Sequence, residues 1–344
     1  MTVAAHIRRF IVGSYGAPVG TSAGLALLEH DLRDDTLRVS DLVAVDSPSF
    51  VALSPADSEA VYCVSEADNG SVHALRWTSR QRAALEVVSS QPSHGAHPCH
   101  LTVHPAGYLL TANYTSGTVA VHPIRADSSL APATDVHQFT GSGPNAERQE
   151  CAHPHMVSLA GEDVAVADLG SDRVWHLRLN HDGRLEPRGF LHLGAGSGTR
   201  QVLFAGDGGT AYVLGELDGS LTVAAWPPSN AASRTIVASA GPLPSGNLSA
   251  ALVAGTEPGT LFVSHRGADT VTEVDVSSGE PQVRHDISSG GHWPRHIAVE
   301  GHHLYIANQL SGVLTSVDLR RRDIARTSTS TASPSCLVAI PLAV

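Results

Sequence analysis

Six charged side chains stand where short apolar segments of the chain begin or end, positions at which neutral residues are usual. They are three arginines, two glutamates and one histidine: Glu66, His155, Arg200, Glu216, Arg266 and Arg295. Histidine and glutamate transfer protons when burial moves their pKa values toward neutrality, and arginine holds anions through paired hydrogen bonds. Brought together, these side chains could bind an anionic molecule and move protons on it. The alternative is a buried ion-pair network that only ties parts of the fold together.

A segment that recurs along the whole chain indicates how these residues could meet. Each copy holds two short runs of β-branched and aliphatic residues separated by a turn, and a third run usually follows. The copies begin near residues 48, 98, 154, 199, 249 and 294, in steps of 50, 56, 45, 50 and 45 residues. A repeat of this length, built from three or four strands, is typical of a β-propeller.

The two ends of the chain predict how the propeller closes. A seventh copy begins at Pro334 but has room for one strand only, and the missing strands lie at 9–15, 25–30 and 37–40. Pairing the last strand with these completes a seventh blade and protects the edges of the first and last sheets. We therefore predict an all-β, seven-bladed β-propeller with almost no helix, forming a single domain over residues 1–344.

Antiparallel pairing predicts where the charged residues lie. The first strand of a blade begins, and the second strand ends, at the same rim of the central channel. Residues at these points from seven blades should therefore surround one pocket, and loops on a rigid scaffold commonly carry function. The long connection over residues 138–152 would lie over the same rim and bring Arg148 and Glu150 with it.

Composition limits the classes of partner. The chain has 22 Lys and Arg against 33 Asp and Glu, a net charge of −11, which argues against a nucleic-acid or anionic-membrane surface. Its N-terminus lacks an apolar core of signal-peptide length, and its four cysteines have no CxxC or framework spacing. These features predict a reduced, cytoplasmic protein, either monomeric or a weak homo-oligomer.

Metal sites were considered because the chain has 20 histidines. His97, His100 and His104 form one cluster and His153 and His155 another, but alternate residues of a strand point to opposite faces, so neither cluster simply converges. A separate possibility is a Ca²⁺ or Zn²⁺ site built from four strand-end residues. Its members would be Glu66, Asn113, Asp168 and Asn308. We predict no metal and no cofactor.

Several strings, in order along essentially the whole chain, resemble the seven-bladed propeller lactonase family. They are GPNAERQ (143–149), HPHMVSL (153–159), VADLGSDRV (166–174), GTAYVLGEL (209–217), FVSHRGADTV (262–271) and HWPRHIAV (292–299). The family contains bacterial 6-phosphogluconolactonases and fungal carboxymuconate cyclases. The resemblance implies a small anionic lactone, bearing phosphate or carboxylate, as the partner.

The resemblance also implies a catalytic set of one histidine, two arginines and one glutamate. These residues match His155, Arg200, Arg266 and Glu216. Substrate-binding roles are expected for the following rim residues: Glu66, Tyr114, Arg148, Asp168 and Arg295. Neighbours of the catalytic set depart from the family pattern at Gln201, Gly215 and His265, where His, Asn and Asn are usual.

Three functions follow from the residues and the resemblance together. The first is hydrolysis of 6-phosphogluconolactone without a metal, with His155 and Glu216 sharing the base and acid roles in either order and Arg200 and Arg266 stabilising the oxyanion. The second is a lactone-forming muconate cyclase. The third is a propeller scaffold without enzymatic activity, which would not need charged side chains to converge in one pocket.

Overall fold

Short apolar runs separated by glycine- and proline-rich turns become strands throughout this protein. The structure is a computed structural model that describes residues 6–79, 84–321 and 326–341. Every regular element in these ranges is a β-strand, and the strands form seven sheets of four strands each. The predicted all-β, seven-bladed propeller is therefore confirmed.

The strand bounds follow the repeats. The N-terminal strands are β1 (Ile7–Ser14), β2 (Gly24–Asp31) and β3 (Thr36–Ala44). Blade 1 consists of β4 (Val51–Leu53), β5 (Ala60–Ser65), β6 (Ser71–Ser79) and β7 (Ala84–Pro92). Blade 2 consists of β8 (Pro98–His104), β9 (Tyr108–Asn113), β10 (Thr118–Pro123) and β11 (Asp135–Gln138). Blade 3 consists of β12 (Pro154–Ala160), β13 (Asp163–Asp168), β14 (Arg173–Leu179) and β15 (Leu185–His192).

The second half repeats this order. Blade 4 consists of β16 (Thr199–Phe204), β17 (Thr210–Gly215), β18 (Ser220–Ala225) and β19 (Arg234–Val237). Blade 5 consists of β20 (Leu248–Ala254), β21 (Thr260–Arg266), β22 (Thr270–Asp275) and β23 (Gln282–Ser288). Blade 6 consists of β24 (Pro294–Glu300), β25 (His303–Asn308), β26 (Val313–Asp318) and β27 (Arg326–Ser330). The last strand is β28 (Pro334–Ala339).

Blade 7 joins the two ends of the chain, as predicted. Its strand order is β28-β1-β2-β3, and β28 pairs antiparallel with β1 from Phe10 opposite Ala339 to Ser14 opposite Pro334. The inner strand of each blade contacts the inner strands of its neighbours; β8, for example, contacts β4 and β12. The seven inner strands therefore surround a central channel.

The hydrophobic core lies between the blades. One cluster joins Leu110 and Val121 of blade 2 to Val157 and Val166 of blade 3, all of them buried. Outer strands such as β7 and β15 are largely exposed. Burial of apolar side chains between sheets drives their association, so the rim of the channel is held on a rigid frame. Among the residues described, no helix offers the length and apolar character that a membrane crossing requires.

Candidate active site

Each inner strand from β8 onward carries a bulge at its first residues, at the rim of the channel. An extra residue in one strand breaks the regular alternation and re-aims its side chain. The bulged positions include Cys99, His155, Arg200, Ala250, Arg295 and Ser335. The sequence predicted the start of the strand as the site but did not predict the bulge that turns these side chains into the channel.

A small cavity of about 20 Å³ lies where the bulged residues meet. Its lining is formed by Tyr15, Ser49, Phe50, Cys99, His100, His155, Arg200, Gln201, Arg295, His296 and Ser335. The cavity therefore draws residues from blades 1, 2, 3, 4, 6 and 7, as the predicted convergence requires.

The carboxylate of Glu216 lies among three guanidinium groups. Its Oε2 accepts a short hydrogen bond from Arg200 Nη1 and lies 2.8 Å from Arg266 Nη2. Its Oε1 lies 2.6 Å from Nη2 of Arg148, which the 138–152 connection carries to this rim. Glu216 is 0 % exposed. Four residues from two blades and one loop are thus joined in one buried ionic cluster.

Main-chain oxygens and one aromatic ring hold the two inner arginines in place. Arg200 Nε donates to Ala250 O at 2.7 Å, and Arg266 Nε donates to Leu248 O at 3.1 Å. The guanidinium of Arg266 also lies 5.4 Å from the ring centroid of Trp293, a cation–π contact. These contacts orient both guanidinium groups before any ligand arrives.

The charge states of the cluster follow from its geometry. Burial alone would raise the pKa of Glu216, but Arg266, Arg200 and Arg148 together hold it well below its usual range. Burial lowers the pKa of Arg266 to about 9, so this guanidinium is still protonated at neutral pH. Glu216 is therefore a carboxylate at neutral pH and cannot supply a proton there.

His155 is the basic group nearest to the cluster. It is buried, and its Nε2 lies 2.6 Å from Arg200 Nη1, which donates to it. Burial, followed by the charge of Arg200, lowers the pKa of His155 well below its ordinary value. The imidazole is therefore neutral at pH 7 and can accept a proton.

A second polar group lies across the channel. The Tyr15 hydroxyl donates to Glu66 Oε2 at 2.9 Å, and Ser49 Oγ donates to the same oxygen through a short hydrogen bond. The guanidinium of Arg295 stacks 4.8 Å from the Tyr15 ring centroid. Within the described residues, the contact found for Arg295 is this stacking, so its N–H groups remain available to an anion.

The structure places Tyr114 beside the cluster and Asp168 away from it. The Tyr114 hydroxyl lies 3.4 Å from Arg148 Nη2. Asp168 is 0 % exposed, and its carboxylate accepts four hydrogen bonds from neighbouring groups. The donors are His153 N at 2.7 Å, Gly170 N at 3.1 Å, Trp175 Nε1 at 3.0 Å and Ser171 Oγ. Asp168 therefore fixes the end of blade 3 and has no oxygen position left for a substrate.

The residues that depart from the family pattern serve the scaffold. Gln201 Oε1 accepts from Leu252 N at 2.6 Å in the next blade. The ring of His265 bridges Ser249 Oγ at 2.8 Å and Ala238 O at 2.7 Å. A Cβ on Gly215 would lie 2.4 Å from Ser220 Oγ and Asp218 Oδ1, so a larger residue would need a different turn here.

The histidines and asparagines considered as metal ligands from the sequence have partners in different places. His97 contacts Thr115, whereas His100 contacts Val157 N in the next blade. The amide nitrogens of Asn113 and Asn308 bind Ser93 O and Ser289 O within their own blade ends. Among the described residues, the group of three or more His, Cys, Asp and Glu donors that could meet at one ion is Glu150, Cys151 and His153.

Sequence reasoning gave no role to Tyr15 and Ser49 and missed Trp293. The position of Tyr15 and Ser49 beside strand ends that face Glu66 could have indicated that they contact it. Trp293 directly precedes the inner strand of blade 6, where its neighbours His292 and Pro294 gave no hint of a contact with Arg266.

Comparisons with known proteins agree with this geometry. Residues 9–339 match the family described as lactonase, 7-bladed beta-propeller. A Bacillus subtilis protein named 6-phosphogluconolactonase is 31% identical over 293 residues, covering 83% of this chain and 82% of that protein.

Solved structures share the whole fold. The periplasmic gluconolactonase PpgL of Pseudomonas aeruginosa superposes with a TM-score of 0.86 at 26% identity, covering 98% of this chain and 100% of that one. A Lactobacillus plantarum protein superposes with a TM-score of 0.87 at 26% identity, covering 97% and 99% of the two chains. With the buried cluster of arginines, glutamate and histidine on the rim of a closed propeller, this chain belongs to the seven-bladed β-propeller lactonase family.

Proposed function

We propose that this protein hydrolyses 6-phosphogluconolactone to 6-phosphogluconate, with His155 as the base and the arginines as the anion site. The observation that carries the proposal is the convergence of four guanidinium groups, those of Arg148, Arg200, Arg266 and Arg295, on one rim of an otherwise acidic protein. Glu216 and Glu66 offset part of this charge, and an anionic ligand would offset the rest. The Bacillus subtilis relative that bears the name of this activity supports the choice of substrate.

Substrate binding is assigned to the two arginines at the edge of the cluster. Arg295 offers N–H groups that no described residue takes up, and its stacking on Tyr15 holds the guanidinium in place. Arg148 is partly exposed and reaches the rim from a loop. Paired N–H groups match the oxygens of a phosphate group, so we assign the phosphate to Arg295 and the polar edge of the sugar ring to Arg148 and Tyr114.

His155 activates the attacking water in this proposal. Arg200 Nη1 donates to His155 Nε2 and occupies its lone pair. A lactone carbonyl oxygen near Arg200 would compete for that N–H and release the imidazole to a water molecule. The imidazole then takes a proton from the water as its oxygen bonds to the carbonyl carbon.

Arg200 and Arg266 stabilise the tetrahedral oxyanion that results. Glu216 holds both guanidinium groups through one oxygen, which fixes their orientation before the reaction and avoids reorganisation during it. The carbon–oxygen bond of the ring then breaks, and the imidazolium of His155 returns its proton to the leaving alkoxide. One residue thus serves as base and then as acid, and each step is supplied by protein side chains, so we propose that turnover does not require a metal.

Lactone hydrolysis by the purified protein tests this function. We expect turnover of 6-phosphogluconolactone above the spontaneous rate, much less turnover of unphosphorylated gluconolactone, and turnover that persists in EDTA because no metal takes part in the chemical steps. Arg266→Ala should lower kcat/KM at least about a hundredfold, because removal of one oxyanion-stabilising donor has this effect in other acyl-transfer enzymes. Arg184→Ala, at an arginine whose side chain is 70% exposed, serves as the matched control.

A result at the spontaneous rate for both lactones would overturn the assignment, and carboxymuconates would then be the next substrates to measure. Melting temperatures of the two variants must accompany the rates, since a structural ion-pair network would lose stability without any effect on chemistry per folded molecule. A single catalytic domain over residues 1–344 and a cytoplasmic location stay predictions beside this proposal.

A further inference from the structure

A second group of reactive side chains lies just outside the proposed catalytic cluster. Glu150, Cys151 and His153 end the 138–152 connection and precede the inner strand of blade 3. Glu150 Oε1 lies 3.1 Å from His153 Nε2, and Cys151 Sγ lies 3.7 Å from the same nitrogen and 4.0 Å from Glu150 Oε1. Three different donor atoms therefore face one point.

The spacing of these donors matches the coordination sphere of zinc. In tetrahedral sites Zn–N and Zn–O are about 2.0–2.2 Å and Zn–S is about 2.3 Å, which separates neighbouring donors by about 3.3–3.6 Å. The three distances found here lie on either side of that range. An ion equidistant from the three donors needs only small rotations of Glu150 and Cys151, both of which are exposed and free to make them.

His153 is already oriented as a metal ligand. Its side chain is 5% exposed, its ring stacks on Tyr114 with centroids 4.5 Å apart, and its Nδ1 lies 3.0 Å from Tyr114 O. A proton on Nδ1 donated to that carbonyl leaves the lone pair on Nε2, directed at Glu150 and Cys151. Metal-binding histidines are commonly held in this way by a main-chain carbonyl.

The main chain of the group is fixed as well. His153 N donates to Asp168 Oδ1 at 2.7 Å, and the segment lies so close to the next turn that a Cβ at Gly170 would stand 1.7 Å from Cys151 O. The backbone is therefore in place, and only the two exposed side chains have freedom to adjust.

We propose that Glu150, Cys151 and His153 form a Zn²⁺ site that fastens the 138–152 connection to blade 3. A thiolate and a carboxylate balance the two charges of the ion, and sulfur with imidazole nitrogen selects zinc over Mg²⁺ or Ca²⁺. Three protein donors leave one position for water. The same connection carries Arg148 to Glu216, so the ion ties down the loop that supplies part of the anion site. This differs from the expectation of no metal drawn from the sequence, and the ion has no role in the hydrolysis steps above.

Metal binding by the full-length, metal-depleted protein tests the proposal. Addition of Co²⁺ as a spectroscopic probe should produce a thiolate-to-metal charge-transfer band, and Zn²⁺ should abolish the band by displacement. Cys151→Ser should remove the band and weaken Zn²⁺ binding by more than about tenfold, since even loss of a residue that only supports a ligand has an effect of this size. Glu147→Gln, at an exposed acidic residue of the same connection, should leave both unchanged.

Thiol alkylation provides an independent readout. Cys151 is the exposed cysteine, whereas Cys63, Cys99 and Cys336 are buried, so iodoacetamide should modify Cys151 first in the folded protein. Stoichiometric Zn²⁺ should slow this modification, because a metal-bound thiolate is a poor nucleophile toward the reagent. Equal alkylation rates with and without Zn²⁺, or equal Zn²⁺ affinity in Cys151→Ser, would overturn the proposal and leave the Glu150–His153 contact as a simple ion pair. Neither readout depends on lactone hydrolysis, so failure here would leave the proposed function standing.

Discussion

Glu216 and His155 differ in what their surroundings allow them to do. Three guanidinium groups hold Glu216 as a carboxylate, whereas burial beside Arg200 keeps His155 neutral. A permanent carboxylate orients arginines well but is a weak base, and a neutral imidazole can take up a proton. Both pKa values lie on the acidic side of neutrality. The two residues that the sequence left interchangeable therefore differ in charge and in contacts: Glu216 is an anion held by three guanidinium groups, and His155 is a neutral ring that accepts from one.

The pH dependence of the reaction tests this assignment. His155 acts as a base only when neutral, and its pKa lies well below 6.5. We therefore expect kcat/KM for 6-phosphogluconolactone, after subtraction of spontaneous hydrolysis, to stay level from pH 7 down past pH 6.5 and to fall only in more acidic solution. An acid limb centred at or above pH 7 would contradict the assignment and indicate a base with a raised pKa.

Arg295 gives a prediction about specificity. Its guanidinium stacks on Tyr15, and within the described residues no hydrogen bond occupies its N–H groups. Arg295→Gln should raise KM for the phosphorylated lactone by at least about tenfold, because a charge-assisted hydrogen bond contributes roughly 1.5–3 kcal/mol. Turnover of unphosphorylated gluconolactone should change little. An equal loss on both lactones would assign Arg295 to the chemistry or to folding rather than to the phosphate.

At the level of elements, the site depends on the bulges of the inner strands from β8 onward and on one docked loop. The sequence predicted the repeat, the closure of the propeller and the rim at which residues meet, because apolar periodicity and turn residues determine these features locally. The bulges at His155 and Arg200 have no such local signal, since an extra residue is visible only in the pairing register. Asp168 shows the same limit: its strand-end position suggested substrate binding, but its oxygens are taken up by donors two to fifteen positions away.

The docked loop gives an element-scale prediction through Gly170. A Cβ at this position would lie 1.7 Å from Cys151 O and 2.9 Å from His153 N, so Gly170→Ala must push the 138–152 connection away from blade 3. Arg148 would move with the connection, and we expect kcat/KM to fall at least about tenfold, because small displacements of positioning groups strongly reduce rates. Gly194→Ala is the matched control, since a Cβ there has no atom within 4 Å. Full activity in Gly170→Ala would show that the loop need not be docked.

At the scale of the whole molecule, closure of the ring fixes the distances between rim residues that are far apart in the sequence. Arg295 of blade 6 and Ser49 before blade 1 line one cavity only because β28 pairs with β1 and completes blade 7 between them. Leu337 of β28 packs with Phe10 and Leu28 of blade 7 and with Tyr305 of blade 6. Loss of packing at this joint should therefore weaken the entire propeller, not one blade.

A pair of leucine substitutions tests the role of closure. Leu337 is 2% exposed and Leu310 is 57% exposed, so the same change removes buried packing in one case and surface contact in the other. Leu337→Ala should lower the free energy of unfolding by about 3 kcal/mol, the usual effect of a cavity in a core, and Leu310→Ala by no more than about 0.5 kcal/mol. Urea unfolding followed by tryptophan fluorescence measures both. The four tryptophans include Trp77 of blade 1 and Trp226 after β18 of blade 4, so their fluorescence reports on distant parts of the ring. A single transition shifted to lower urea in Leu337→Ala would show that weakening the joint loosens the ring as a unit. An unchanged midpoint in Leu337→Ala would mean that the blades remain associated without this packing.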